Sequence, residues 1–223
     1  MDTAALAGVA ACRSAMYWLL AELVLTCPDG ALVSRLRGDH ARLADTFGSE
    51  HEAAGLFELG GVLPQIVDAA GIETLAVEYT RLFSGVKPGY GLPPPYESVH
   101  RRDSEATEIG LAVKTHYASA GLDPTDAGLP PDHLGVEFKF LSLLCYAESG
   151  AWHDGRKAEA LQTLGVERSF LDEHLLQWAP GYCEQARAES RHDFYRKLTE
   201  LAQIALNEDR VLIDRTLVEG DAT

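Results

Sequence analysis

The chain has 223 residues, of which 46% are hydrophobic and 24% charged, and its 19 Lys plus Arg stand against 34 Asp plus Glu for a net charge of -15. This is a globular composition, not a disordered or collagenous one. The negative charge repels phosphate backbones and anionic lipid, which argues against nucleic acid as a partner and would steer a cationic peptide toward the surface. The unbroken apolar run Ala15 to Ala21 stops at Glu22, short of the ~20 residues a membrane span needs, so no membrane insertion is expected.

Four scattered cysteines, Cys12, Cys27, Cys145 and Cys183, form no Cys-x-x-Cys pair and fit a reducing compartment. The start Met1-Asp2-Thr3 lacks the basic region of a secretory signal, and a cytoplasmic location is expected.

Helical periodicity dominates the chain. Met16, Leu19, Leu20, Leu23 and Val24 share one helix face, and Cys27-Pro28-Asp29-Gly30 ends it. Further helices are expected over Ala31 to Thr46, over Glu50 to Leu59 with a stop at Gly60-Gly61, over Val62 to Ala70, and over Ile72 to Phe83. Ser84 to Pro95 holds three glycines and four prolines and reads as loop. Helical pattern returns at Asp103 to Ala120 and again after Pro130-Pro131, with Leu134, Phe138, Leu141, Leu144 and Cys145 as its apolar stripe. The spacing then predicts helices over Arg156 to Leu164, Arg168 to Trp178, Gly181 to Arg187 and Arg191 to Asn207, followed by a fraying acidic tail at 208–223. No alternation reads as a strand. The expectation is an all-α fold, a single-domain helical bundle of about 9–11 helices spanning residues 1–223.

No Gly-x-x-x-x-Gly-Lys-Ser/Thr loop, His-Glu-x-x-His, Gly-x-Ser-x-Gly or paired Glu-x-x-His is present, and the eight histidines stand apart in sequence. No catalytic set, metal or cofactor is therefore expected. Two segments stand out: Tyr79-Thr80-Arg81-Leu82-Phe83 with its Gly/Pro loop leading to Pro93-Pro94-Pro95-Tyr96-Glu97-Ser98-Val99-His100, and Pro130-Pro131-Asp132-His133-Leu134-x-x-Glu137-Phe138. Asp132 is placed to cap the helix behind the prolines. It is equally placed to face a groove beside His133, with Glu137 one turn on to hold that imidazole or meet a cation.

In these two segments the sequence resembles the TorD/DmsD/NarJ family of cytoplasmic maturation chaperones for molybdenum oxidoreductases. The resemblance rests on Tyr79, Leu82, Phe83, Pro94, Pro95, Tyr96, Glu97 and Ser98 for an aromatic-x-x-Leu-Phe pattern running through a Gly/Pro loop, and on Pro130, Asp132 and His133 for a Pro-x-Asp-His helix start. Leu129 replaces the family's Glu before that start. His174-Leu175-x-x-Trp178-x-Pro180 and Phe194-Tyr195 add a third match.

The resemblance implies an all-helical binding protein, not an enzyme, that works as monomer or dimer. Its partner would be the catalytic subunit of a bis-molybdopterin guanine dinucleotide oxidoreductase, held by its N-terminal twin-arginine leader until the cofactor is inserted. Asp132, Glu137 and Glu97 would meet the leader's guanidinium groups, Leu82, Phe83, Pro95 and Tyr96 would line the apolar part of the groove, and Tyr79, Pro94, Ser98 and His133 would belong to the same client-binding site. A helical interaction scaffold unrelated to molybdenum enzymes is the alternative.

Overall fold

The computed structural model describes residues 2–44, 55, 58–63, 66, 68–85, 91–101, 105–124 and 128–221. Among them the regular structure is helical, with one isolated antiparallel bridge between Tyr96 and His133. The helices are α1 (Thr3–Leu25), α2 (Gly30–Ala44), α3 (Ala69–Phe83), the short α4 (Glu97–His100), α5 (Ala106–Ser119), α6 (Leu134–His153), α7 (Lys157–Phe170), α8 (Leu176–Glu189) and α9 (Asp193–Asp221). A π-turn at Leu171–Leu175 joins α7 to α8.

Asp2 starts α1 by accepting from the backbone N–H of Ala4 (3.0 Å) and Ala5 (3.3 Å). By length and composition α1 is apolar enough to cross a membrane. Here it lies along α6 in the middle of the bundle, with Ala10, Met16, Tyr17, Leu20, Leu23 and Val24 all buried. The two backbones approach closely at Gly135, where a Cβ would stand 2.5 Å from Cγ of Leu25. Aromatic rings fill the layer beneath: Tyr117 lies 4.6 Å and Phe170 4.8 Å from Phe140, ring centre to ring centre.

Several expected boundaries move. Gly60 and Gly61 lie inside a helical stretch at 58–62, because buried Leu59, Val62 and Leu63 anchor it on both sides. The expected helix over Val62 to Ala70 is interrupted, since Ile66 and Asp68 are not helical. Asp68 instead caps α3 through Gly71 N–H at 2.9 Å, so that helix begins at Ala69. Of Glu50 to Leu59, Gly55 is helical, while residues 50–54, 56 and 57 lie outside the described residues.

The breaks expected after Leu164 and after Trp178 do not occur. Buried Leu164, Glu167 and Phe170 carry α7 through Gly165, and buried Trp178, Ala179, Tyr182 and Cys183 hold α8 together around Pro180. The acidic tail is not frayed over the described residues: α9 runs on to Asp221 with Asp209, Ile213 and Thr216 buried. The helical period continues past Asn207, but two of its inward seats are polar, which hides it from hydropathy alone.

The Gly/Pro loop folds its two ends onto each other, residues 86–90 lying outside the described residues. Leu92 N–H donates to the carbonyl of Arg81 at 3.1 Å, and Gly91 has a φ of +102°. A Cβ on Gly91 would sit 1.9 Å from that same carbonyl oxygen. Gly91→Ala is therefore expected to cost at least about 2 kcal/mol from backbone strain and clash together. A thermal melt unchanged from wild type would contradict it.

Candidate functional site

The two motif segments meet and are stitched together by backbone. Leu134 N–H donates to the Pro95 carbonyl at 2.9 Å, and Glu97 N–H donates to the Asp132 carbonyl at 2.9 Å. Asp132 Oδ2 also accepts from Ser98 N–H at 3.1 Å. Asp132 thus caps α4, across the chain, and not its own helix. The cap of α6 is His133, whose Nδ1 accepts from Gly135 N–H at 3.1 Å. Burial lowers the His133 pKa to about 4, against the opposing pull of Asp132, so the ring is neutral at physiological pH as this acceptor role requires.

Beneath the stitched turn lies a line of polar side chains. Glu97 is fully buried and accepts from Arg101 Nη1 at 2.7 Å and from His174 Nδ1 at 2.9 Å. His174 Nε2 faces His116 Nδ1 at 3.2 Å, and His116 in turn approaches Ser169 and Glu173 near the surface. Glu137 is also fully buried. Its Oε2 accepts from the Trp178 indole N–H at 3.2 Å, while Oε1 has no hydrogen-bond partner. Burial first and the neighbouring Glu97 second push its pKa well up, which favours the protonated acid. Glu137 therefore turns to Glu97 and Trp178 and does not hold the His133 imidazole.

The remaining motif residues divide by depth. Leu82, Phe83 and Pro95 are buried, with Phe83 against Tyr182 and Tyr195. Tyr79 is half-buried, donates its hydroxyl to the Val24 carbonyl at 2.9 Å, and has its pKa raised by burial to about 12. Pro94, Tyr96 and Ser98 are half-buried and Pro93 and Val99 exposed, so these five form the outer side of the turn. Tyr96 leans edge-on over His133, 5.2 Å between ring centres. His100 stacks on Trp178 and donates from Nε2 to the Pro94 carbonyl at 3.1 Å. Asp132 is only 4% exposed, so all three carboxylates expected to meet guanidinium groups point inward.

In the sequence His174 and Trp178 stand out only within a motif, and nothing in the local pattern of Arg101 or His116 marks them. Sequence reading also misses a second buried cluster, in which Arg13 pairs with Glu148 at 2.5 Å and with Glu167 and Asp209. Tyr17 donates to Asp209 at 2.7 Å and Trp152 to Glu148 at 2.7 Å. The available signal was a charged residue in an inward helical seat: Arg13 three before Met16, Glu148 three after Cys145, Asp209 three after Leu206. Two groups of side chains could bring metal ligands together, His116 with Glu173 and His174, and Cys145 with Glu148 and Glu167. In the second, the Arg13 guanidinium already serves the carboxylates.

Comparison with known proteins matches residues 41–184 to the nitrate reductase delta subunit family. A chlorate reductase assembly chaperone from Ideonella dechloratans is 34% identical over 128 residues, 55% of this chain and 63% of that protein. A selenate reductase assembly chaperone from Thauera selenatis is 35% identical over 118 residues, 52% and 59% of the two chains. The chain thus spans about three-fifths of the length of these two relatives. The chaperone protein TorD of Vibrio cholerae is 24% identical over 217 residues, 93% of this chain and 94% of that one.

Proposed function

The chain belongs to the nitrate reductase delta subunit family, the TorD-like molybdoenzyme chaperones its motifs resemble, and from that premise we propose that it is a cytoplasmic assembly chaperone. Its client is the catalytic subunit of a molybdenum oxidoreductase, held by its N-terminal leader until the bis-molybdopterin guanine dinucleotide cofactor is in place. The names of the chlorate and selenate reductase relatives support this client class, and a net charge of -15 favours a basic leader.

The observation that carries the reading is the stitched turn. Asp132 and His133 spend side-chain acceptors on holding it and Glu97 is tied to Arg101 and His174 beneath, so Pro94, Tyr96 and Ser98 are presented at the surface in one fixed arrangement. A rigid aromatic and proline surface over a hydrogen-bonded base loses little entropy when an extended apolar peptide docks. In this division of labour Leu82, Phe83 and Pro95 support the surface from below and Tyr79 ties it to α1.

Tyr96→Ala is expected to weaken binding of the client's leader peptide by about 2 kcal/mol, roughly 30-fold, as for a central aromatic contact. Its melting temperature should fall by no more than about 4 °C. Titration calorimetry with the leader peptide checks the affinity, after a pull-down from the native host grown under oxygen-limited respiration has identified the client. Recovery of no molybdenum oxidoreductase subunit would favour the unrelated helical scaffold.

A further inference from the structure

The outer end of the polar line reaches the surface at a cleft of about 450 Å³, with Arg101, Glu108, Asp172, Glu173, His174 and Gln177 among its walls. Nothing in the chaperone reading uses this end. His174 Nε2 and His116 Nδ1 stand 3.2 Å apart. Two imidazole nitrogens, each at about 2.0–2.1 Å from one tetrahedral zinc ion, are themselves separated by about 3.3 Å. Glu173 supplies a third donor. The three side chains each offer a ligand atom, all within 4.8 Å of one another. Glu173 Oε2 is 3.8 Å from His116 Nε2, the ring nitrogen other than the one that faces His174, and its Oε1 accepts from the Ser169 hydroxyl at 2.5 Å.

Three further features fit a metal ion. The His174 Nδ1–H donates to buried Glu97, which fixes the tautomer and leaves the Nε2 lone pair facing His116; a carboxylate behind a metal-binding histidine does the same. Glu173 and His174 both come from the π-turn, and such insertions in an α-helix recur at functional sites. Glu173 and His174 both line the cleft, so water reaches these two ligands, as in open zinc sites.

We propose that His116, Glu173 and His174 bind one divalent transition-metal ion of the zinc class, linking α5 to the π-turn directly outside Glu97. An N2O donor set of borderline hardness selects Zn²⁺ and its neighbours over Mg²⁺ or Ca²⁺. The site requires no client, so its test stands apart from that of the chaperone reading.

The full-length chain, stripped with a chelator, is titrated with Zn²⁺ by calorimetry and with Co²⁺ by visible absorption. The expected result is one high-affinity equivalent per chain with tetrahedral Co²⁺ bands. His116 is 18% and Glu173 60% exposed, so His116→Gln and Glu173→Gln should melt within about 2 °C of wild type without metal. Each should weaken Zn²⁺ at least tenfold and remove the Co²⁺ bands. Failure to bind a single equivalent, or binding that both variants retain, overturns the proposal and leaves the 3.2 Å contact as a hydrogen bond between two imidazoles.

Discussion

Arg13→Met is expected to lower stability by about 3–5 kcal/mol, the cost of removing one partner from a buried ion pair. For a chain of this size that is a fall of about 6–20 °C in Tm. Methionine fills most of the stem's volume, so the loss isolates the charge: one guanidinium faces Glu148, Glu167 and Asp209, all under 5% exposed. Even with Arg13 present the acids outnumber it. Burial, offset in part by Arg13, raises the Glu167 pKa from its usual 4.5 to about 8, and burial raises that of Glu148 in the same direction.

The sign of the pH dependence follows. Folded Glu167 keeps a proton that the unfolded chain releases above about pH 4.5, so its contribution is complete below that pH and is lost as pH rises toward about 8. Wild type should therefore lose stability across this window through Glu167, and Glu167→Gln, which has nothing to ionise, should flatten the fall. Without Arg13 the acids are harder still to ionise, and the gap between wild type and Arg13→Met should be wider at pH 8 than at pH 5.5. Melting curves of the three proteins at both pH values test this. A gap under about 1 kcal/mol, or one that does not change with pH, would contradict the charge argument.

How much of this was legible in the sequence depended on how far apart the interacting residues lie in the chain. Helices with apolar residues at steps of three and four were readable, as were the Gly/Pro loop and the two motif segments. The orientation of the site was not. Asp132, His133 and Glu137 have the spacing of a groove-facing set, yet the partners that turn the two acids inward come from elsewhere: Ser98 lies 34 residues before Asp132 and Trp178 lies 41 beyond Glu137, just as His174 lies 77 beyond Glu97. Arg13 likewise meets acids 135, 154 and 196 residues away. Periodicity cannot distinguish a carboxylate on a solvated face from one whose partner arrives later in the chain. The same ambiguity hid the last turns of α9, where Asp209 occupies an inward seat only because Arg13 and Tyr17 are there to meet it.

The motif acids Glu97 and Glu137 should respond unequally to the same substitution. Glu97→Gln leaves the Arg101 guanidinium and the His174 ring without their buried anion, and is expected to cost about 2–4 kcal/mol. Glu137→Gln should stay within about 1 kcal/mol of wild type, because an amide keeps an acceptor for the Trp178 indole and a donor in place of the acid proton. The two variants change the same chemistry at almost the same place, so a general sensitivity of the core would penalise both alike.

The Glu137→Gln difference should also depend on pH. Folded Glu137 retains a proton that the unfolded chain gives up above about pH 4.5, so this acid's contribution fades as pH rises. Glu137→Gln escapes that loss and should gain on wild type from pH 5 to pH 8. Chemical denaturation at the two pH values decides the matter. Equal losses for the two variants, or a Glu137→Gln deficit that deepens with pH, would mean that the pair is not one acid held neutral beside another that serves Arg101 and His174.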